Sequence, residues 1–255
     1  MILEGKTALV TGGSRGVGRA IALALARDGA DIAFTYYRNL QAAEETAAAI
    51  QREGRCAIMS QVSLADVTHI ERLFEEIRNT WGRLDIFVSN AVSATLRPVL
   101  ELSLRHWEHV LSVNLTAFLE CSRRSVQLMS QGAGRIIAIS SLGSRRCVPG
   151  YAALGVAKAG IEALARYLAV ELAEKDISVN VVCPGIVETQ ALQAFAHVVP
   201  DLKHYKQSVV ERTPAKRMGL PEDVAGIVAF LCSPQAGWIR GQTIIADGGL
   251  SLTQM

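Results

Sequence analysis

The sequence has no uninterrupted apolar run near the ~20 residues that a membrane-spanning helix needs, so no helical span is expected. It has no marked excess of either charge: 26 Lys and Arg stand against 24 Asp and Glu. The formal net charge of +2 offers no basic surface for nucleic acid. The N-terminus, MILEGKTALV, lacks the basic start and long apolar stretch of a secretory signal. Cysteines are few: Cys56, Cys121, Cys147, Cys183 and Cys232 are odd in number and lack metal-ligand spacing. They read as free thiols in a reducing compartment, and a soluble, cytoplasmic protein is expected. His106 and His109 stand three apart on one predicted helix without a third ligand near in sequence, so no metal site is expected. No repeat, linker or low-complexity segment divides the chain. Its 255 residues, half of them hydrophobic, fit one α/β domain spanning 1–255.

What the sequence does contain is an alternation of short apolar runs with longer helical segments. Residues 7–11 read as a buried strand that runs into Gly12-Gly13-Ser14-Arg15-Gly16-Val17-Gly18 and then a helix over 19–27. Strand, glycine turn and helix aim free backbone N–H groups at a phosphate, and the glycines let the backbone approach a pyrophosphate. The spacing departs from G-x-G-x-x-G, yet after a first strand it marks a dinucleotide site. The next strand, 31–37, ends at Arg38. An acidic residue there suits the ribose hydroxyls of NAD, whereas an arginine suits a 2′-phosphate, and Arg15 supplies a second guanidinium. NADP(H) is the expected cofactor. Further segments (helix 42–52, strand 55–62, helix 66–81, strand 84–89) predict a Rossmann-like, doubly wound parallel sheet with helices on both faces. Ligands of such sheets sit beyond the carboxyl ends of the strands. Val62, Asn90, Ser141 and Gly185, all at predicted strand ends, are therefore expected to line one crevice.

The stretch 135–158, RIIAISSLGSRRCVPGYAALGVAK, carries the candidate chemistry. A short strand (135–140) leads through a Gly- and Pro-containing loop to an Ala-rich helix opening near Tyr151. Tyr151 and Lys158 are seven residues apart, two turns at about 3.6 residues per turn, so they are expected on one side. A tyrosine with a pKa of about 10 is a poor acid until a nearby cation stabilises its phenolate. Lys158 can supply that cation and can also hold a ribose; taken alone, the pair reads as an ordinary helix surface, and only the rest of the chain overturns that. Ser141 either orients a substrate oxygen or caps the strand. Asn114, polar amid apolar neighbours on the helix that carries His109, invites a hydrogen-bonding role. The segment 190–217 mixes Phe195, Val198, Val199, Leu202 and Tyr205 with Pro200 and Pro214, and reads as a substrate-covering loop.

Together these motifs resemble the short-chain dehydrogenase/reductase superfamily over nearly the full chain: TGGSRGVG, SNAV in place of N-N-A-G, Asn114, ISS ending at Ser141, and PGIVET. The resemblance implies about seven strands and a cofactor site of Gly12, Ser14, Arg15, Gly16, Val17, Gly18, Arg38, Gln61, Val62, Asn90, Ala91, Lys158, Gly185, Val187 and Thr189. It implies catalytic roles for Tyr151, Lys158, Ser141 and Asn114, the last supporting a water chain to the lysine. Ser89 and Val92 replace the usual Asn and Gly, and Gln61 stands where an Asp often contacts the adenine. Carbonyl reductases of the superfamily carry Tyr-x3-Lys, but that tyrosine position is Leu154 here. Tyr151 makes Tyr-x6-Lys instead, and with SNAVSATLRPVLEL, ISSLGS, ALARYLAVEL and RGQTIIADGG the chain resembles FabL-type enoyl-acyl-carrier-protein reductases. The implied activity is NADPH-dependent reduction of a trans-2-enoyl thioester on acyl carrier protein, for fatty-acid or related synthesis, by a homotetramer. The alternatives are a 3-ketoacyl or other carbonyl reductase and a non-catalytic NADP(H)-binding regulator. Arg97, Arg145 and Arg146 are candidates to meet an acidic carrier.

Overall fold

The computed structural model describes residues 1–129, 134–193 and 201–253. Its strands are β1 (Thr7–Val10), β2 (Asp31–Tyr36), β3 (Ala57–Gln61), β4 (Ile86–Ser89), β5 (Arg135–Ile139), β6 (Ser178–Pro184) and β7 (Thr243–Ala246). The first six helices are α1 (Gly16–Arg27), α2 (Leu40–Arg52), α3 (Val67–Trp81), α4 (Leu104–Leu111), α5 (Ala117–Leu128) and α6 (Ala152–Glu171). Three more follow: α7 (Gln190–Gln193), α8 (Leu202–Arg212) and α9 (Pro221–Cys232). The strands form one sheet in the order β3-β2-β1-β4-β5-β6-β7, with every pair parallel.

Side chains alternate across a strand with period two, so a strand buried on both faces must be apolar throughout. Ala8 and Val10 of β1, Ile32 and Phe34 of β2, and Ile86 and Val88 of β4 pack with α1, α2 and α9. Leu9, Ala33 and Phe87 point the other way, into a core shared with α3, α5 and α6. Each buried Leu, Ile or Phe contributes about 1.5–3 kcal/mol by leaving water. The sheet grows in opposite directions from β1 and β4, and a crevice opens where the order reverses. Thr11 and Asn90 latch that point. Thr11 Oγ1 accepts from the backbone N–H groups of Asn90 and Ala91, and Asn90 Nδ2 donates to the carbonyls of Thr11 and Gly12.

Three expectations change. Helix α1 begins at Gly16, so Gly16 and Gly18 belong to its first turn. The long helix around Asn114 is interrupted by a π-helical turn, Ser112–Thr116, between α4 and α5. The segment 190–217 is not a single loop, because α7 and α8 form there and half-buried Leu202 and Tyr205 pack around Val209 and Met218. Phe195, Val198, Val199 and Pro200 lie outside the described residues. Among the described residues no helix is long and apolar enough to cross a membrane, and no cluster of three metal-ligating side chains occurs.

At the end of the sheet away from the crevice, buried Asp85 ties β1 to β4. It accepts from Thr7 N at 3.0 Å, Thr7 Oγ1 at 3.2 Å and Lys6 Nζ at 3.3 Å, and also pairs with Arg83. Burial alone would raise its carboxyl pKa; the bonds from Arg83 and Thr7 and the charge of Lys6 outweigh that and hold it below the usual value. A lowered folded pKa stabilises the fold above the unfolded value, and this contribution disappears as pH falls through the folded one. Asp85→Ala is therefore expected to cost about 1.5–3 kcal/mol at neutral pH. Urea unfolding should show the gap to wild type narrowing below the carboxylate range; a gap independent of pH would count against the assigned charge.

Candidate active site

A cleft of about 820 Å³ lies over the switch point. Gly12, Ser14, Arg15, Gly16, Val17 and Gly18 form one part of its wall, and Asn90, Ala91 and Thr189 line it from neighbouring loops. A Cβ on Gly18 would sit 2.2 Å from the Gly12 carbonyl oxygen and 2.4 Å from Asn90 Nδ2, so the turn closes only around glycine. The N-terminus of α1 receives no side-chain cap, and its first turn has no acidic residue. Its leading amides are thus left to an anionic ligand. This fits the pyrophosphate of a nicotinamide dinucleotide. Arg15 and Arg38 both reach the cleft. Arg15 Nη1 donates to Gln190 Oε1 at 3.4 Å, and the Arg38 guanidinium lies 5.0 Å from the Tyr37 ring centroid.

Ser141, Tyr151 and Lys158 line the same cleft. The seven-residue spacing brings Tyr151 and Lys158 together, but by a different route from a shared helix face. Tyr151 is the N-cap residue of α6, with φ −100° and ψ 5°, outside the helix proper. Its ring lies against Gly143, where a Cβ would come within 2.4 Å of Tyr151 Cε1. The Tyr151 and Ser141 hydroxyls are 3.1 Å apart, a hydrogen bond that either can donate. Ser141 Oγ also accepts from Gly143 N at 3.2 Å, so it both caps the turn and meets the phenol. The phenol is pushed up by burial, only partly opposed by the bond with Ser141, so the expected lowering by Lys158 is not what dominates. Lys158, 5% exposed, donates through Nζ to the Ile139 carbonyl at 2.7 Å, and burial brings its pKa down to about 8. Leu154 is 3% exposed and packs with Val110, Ala153 and Ala157 instead of facing the cleft.

Asn114 lies behind this set, 2% exposed, donating from Nδ2 to the carbonyls of Ser93 and Val110 at 2.8 Å each. The bond to Val110 closes across the π-helical turn. The single crevice expected for the strand ends gathers only two of the four residues. Asn90 and Ser141 line it, but Val62 is 4% exposed in the core under α3. Gln61 turns outward and donates to the Tyr37 carbonyl at 3.0 Å. Gly185 and Val187 border a separate cavity of about 360 Å³ near α8, α9 and β7. Both departures follow from position: β3 is an edge strand and β6 lies next to the other edge, while the cleft centres on β1 and β4. Arg145 pairs with Glu162 and Arg146 donates to the Ser251 carbonyl, so of the three arginines considered for a carrier these two already have internal partners.

Sequence reasoning passed over several lining residues. Tyr36, Tyr37 and Ser93 carried no spacing signal. His109, considered only as a metal ligand, lines the cleft with Nε2 3.2 Å from Ser93 Oγ.

A parallel sheet with a glycine turn and an uncapped helix at its switch point, beside half-buried Ser141 and buried Tyr151 and Lys158, defines a nicotinamide-dependent oxidoreductase. The family model described as "Enoyl-(Acyl carrier protein) reductase" matches residues 12–251. The chain belongs to the short-chain dehydrogenase/reductase superfamily, in the family that carries this description. It is 39% identical over 249 residues to a 1-cyclohexenylcarbonyl-CoA reductase of Streptomyces collinus, covering 97% of this chain and 87% of that one. It is 34% identical over 250 residues to a 3-oxoacyl-[acyl-carrier-protein] reductase of Synechocystis, covering 97% and 98%. A solved short-chain dehydrogenase/reductase from Serratia marcescens superposes with a TM-score of 0.90 at 34% identity, covering 98% of this chain and 100% of that one.

Gly18→Ala should fold yet bind nicotinamide dinucleotide more weakly by about tenfold or more, because the added Cβ displaces Gly12 and Asn90 together. Fluorescence titration with the reduced cofactor measures this. Unchanged affinity in a folded variant would place the dinucleotide elsewhere.

Proposed function

We propose that the chain reduces the carbon–carbon double bond of an enoyl thioester with NADPH. The observation that carries this reading is the exchange at the start of α6. The superfamily's usual tyrosine position is core-packed Leu154, and the phenol that meets Ser141 in the cleft is Tyr151, one turn earlier and held from outside the helix. The family's description and the name of the Streptomyces relative, whose substrate joins a cyclohexenyl group to a thioester carbonyl, support it.

A bound nicotinamide supplies the hydride. As the β-carbon accepts it, the double-bond electrons shift toward the thioester oxygen, and the enolate that forms then takes up a proton at the α-carbon; while the charge is on oxygen, the Tyr151 and Ser141 hydroxyls act as hydrogen-bond donors to it. Such donors are worth most in a site from which water is excluded. Burial keeps the phenol protonated and therefore able to donate. Lys158 holds the nicotinamide ribose and places positive potential beside the reacting oxygen. A phenol displaced along the chain suits an oxygen three bonds from the carbon that receives hydride.

A second reading, reduction of a 3-oxoacyl or other carbonyl group, has its own support. The Ser141–Tyr151 contact is the pairing that carbonyl protonation needs. By the names of the relatives, 3-oxoacyl reductases prominent among them, the comparisons back this reading better than the first. The presence of Tyr151, Lys158 and Ser141 in one cleft argues against a regulator without turnover. The proposal extends to a carrier-bound acyl chain and to assembly as a homotetramer; exposed Tyr167 and Val170 on α6 support burial against a second copy.

Arg38→Ala should weaken NADPH by about 1.5–3 kcal/mol, tenfold or more, and leave NADH nearly unaffected. Equal losses for both cofactors would show that Arg38 does not read the 2′-phosphate.

Rates with crotonyl and acetoacetyl thioesters separate the two reductions. The expected result is faster turnover of crotonyl thioester, falling about a hundredfold in Tyr151→Phe with NADPH binding intact. Leu154→Tyr should not improve it and should destabilise a site already filled by leucine. Faster acetoacetyl reduction, with crotonyl turnover indifferent to Tyr151→Phe, would replace the first reading with the second.

A further inference from the structure

Glu162 lies on α6 four residues after Lys158, and it is 6% exposed although it is ionisable. Both carboxylate oxygens are engaged. Oε1 accepts from the Ser140 hydroxyl at 2.6 Å and from Ser144 Oγ at 2.5 Å. Oε2 accepts from Arg145 through Nε at 3.2 Å and Nη2 at 3.1 Å. All three partners belong to a single turn, 140–145. Ser144 Oγ also lies 2.7 Å from the Ser141 carbonyl oxygen, which ties the turn to itself.

That turn carries the two features that place the reacting hydroxyls. Ser141 is one. Gly143 is the other, since the Tyr151 ring occupies the space where its side chain would be. The Gly143 carbonyl in turn rests over α6 at Gly155, where a Cβ would lie 2.8 Å from its oxygen. A buried, charge-paired carboxylate gives little stability that apolar packing would not match. What Glu162 does supply is directional bonds to three residues of one turn, Ser140, Ser144 and Arg145.

We propose that Glu162 is a positioning residue that clamps the 140–145 turn and thereby sets Ser141 Oγ and Tyr151 Oη against the substrate oxygen. This rests on those two hydroxyls holding that oxygen, as they do in either reduction. It goes further in assigning their geometry to a carboxylate that touches neither substrate nor cofactor.

The test is a double-mutant cycle on the full chain, using whichever thioester the wild type reduces faster. Glu162→Gln keeps the side-chain size and an acceptor for the hydroxyls but turns an amide toward Arg145. Its kcat is expected to fall about tenfold to a hundredfold, the scale of a small misplacement at a reacting centre. KM, NADPH affinity and melting temperature should stay close to wild type. In a Ser141→Ala/Tyr151→Phe background the same substitution should add no further loss, because the groups it positions are gone. Ser144→Ala, a milder change that removes one partner of the clamp, should give a smaller loss with the same dependence on background. A fully multiplicative loss in that background, or wild-type kcat in Glu162→Gln, would overturn the clamp. If the Ser141→Ala/Tyr151→Phe protein itself turned over at the wild-type rate, the reading of the two hydroxyls would fall, and the clamp with it.

Discussion

The ring of Tyr151 occupies the space that a side chain at position 143 would need, and the arrangement of the cleft depends on that contact. A phenol at an N-cap has no helix to orient it. Its carbonyl accepts the first helical bond, from Gly155 N at 2.8 Å, but its own φ and ψ are not helical, and the direction of its ring must come from what it packs against. Gly143 provides a flat backbone surface, Ser141 provides a hydroxyl 3.1 Å from the phenol oxygen, and Gly155 lets the turn approach α6 closely. The turn becomes a template for the tyrosine, and α6 becomes a template for the turn.

The same logic applies one level down, in the sheet. The turn follows β5, which stands beside β4, and β4 is locked to β1 by the bonds between Thr11 and the Asn90–Ala91 backbone. The glycine turn before α1 hangs on that latch, since Asn90 Nδ2 binds the Gly12 carbonyl that Gly18 must approach. Cofactor loop and catalytic turn are thus connected through three adjacent strands that are buried on both faces. Rigid packing there keeps two loops far apart in sequence in fixed relation, as the proposed hydride transfer would require.

How much of this could be read from the sequence depended on the range of the interactions. The strands, the helices and the glycine turn are written in local pattern, and they appear with ends shifted by a few residues at most. The proximity of Tyr151 and Lys158 was legible from spacing, although the reason, a turn and not a helix face, was not. Strand-end position misplaced Val62 and Gly185 because it says nothing about where a strand stands in the sheet: β3 is an edge strand, and β6 is one strand from the other edge. Glu162 and Gly143 escaped notice for a related cause. Their partners lie 8 to 22 residues away across a loop of irregular backbone, where no periodicity forecasts which side chains meet.

Burial then decides what the assembled groups can do. The cleft raises the Tyr151 phenol and brings Lys158 down to about 8, so desolvation weakens the charged form of each. A neutral phenol donates a hydrogen bond to developing negative charge without first having to capture a proton. A lysine whose charge is poorly solvated gains from any anion brought close to it, and a dinucleotide carries such charge into the cleft. On the proposed reading, the neutral phenol and the Ser141 hydroxyl are oriented toward a substrate oxygen that becomes negative during reduction. That orientation is common to carbonyl and enoyl reduction. What distinguishes them is which carbon lies within reach of the hydride while the oxygen is held. In this chain the tyrosine proposed to hold that oxygen stands one helical turn farther from Lys158 than the superfamily's usual one, its ring against Gly143, and core-packed Leu154 fills the usual place. On the proposed enoyl reading, holding the oxygen farther along suits a carbon farther from it, which in an enoyl thioester is the β-carbon.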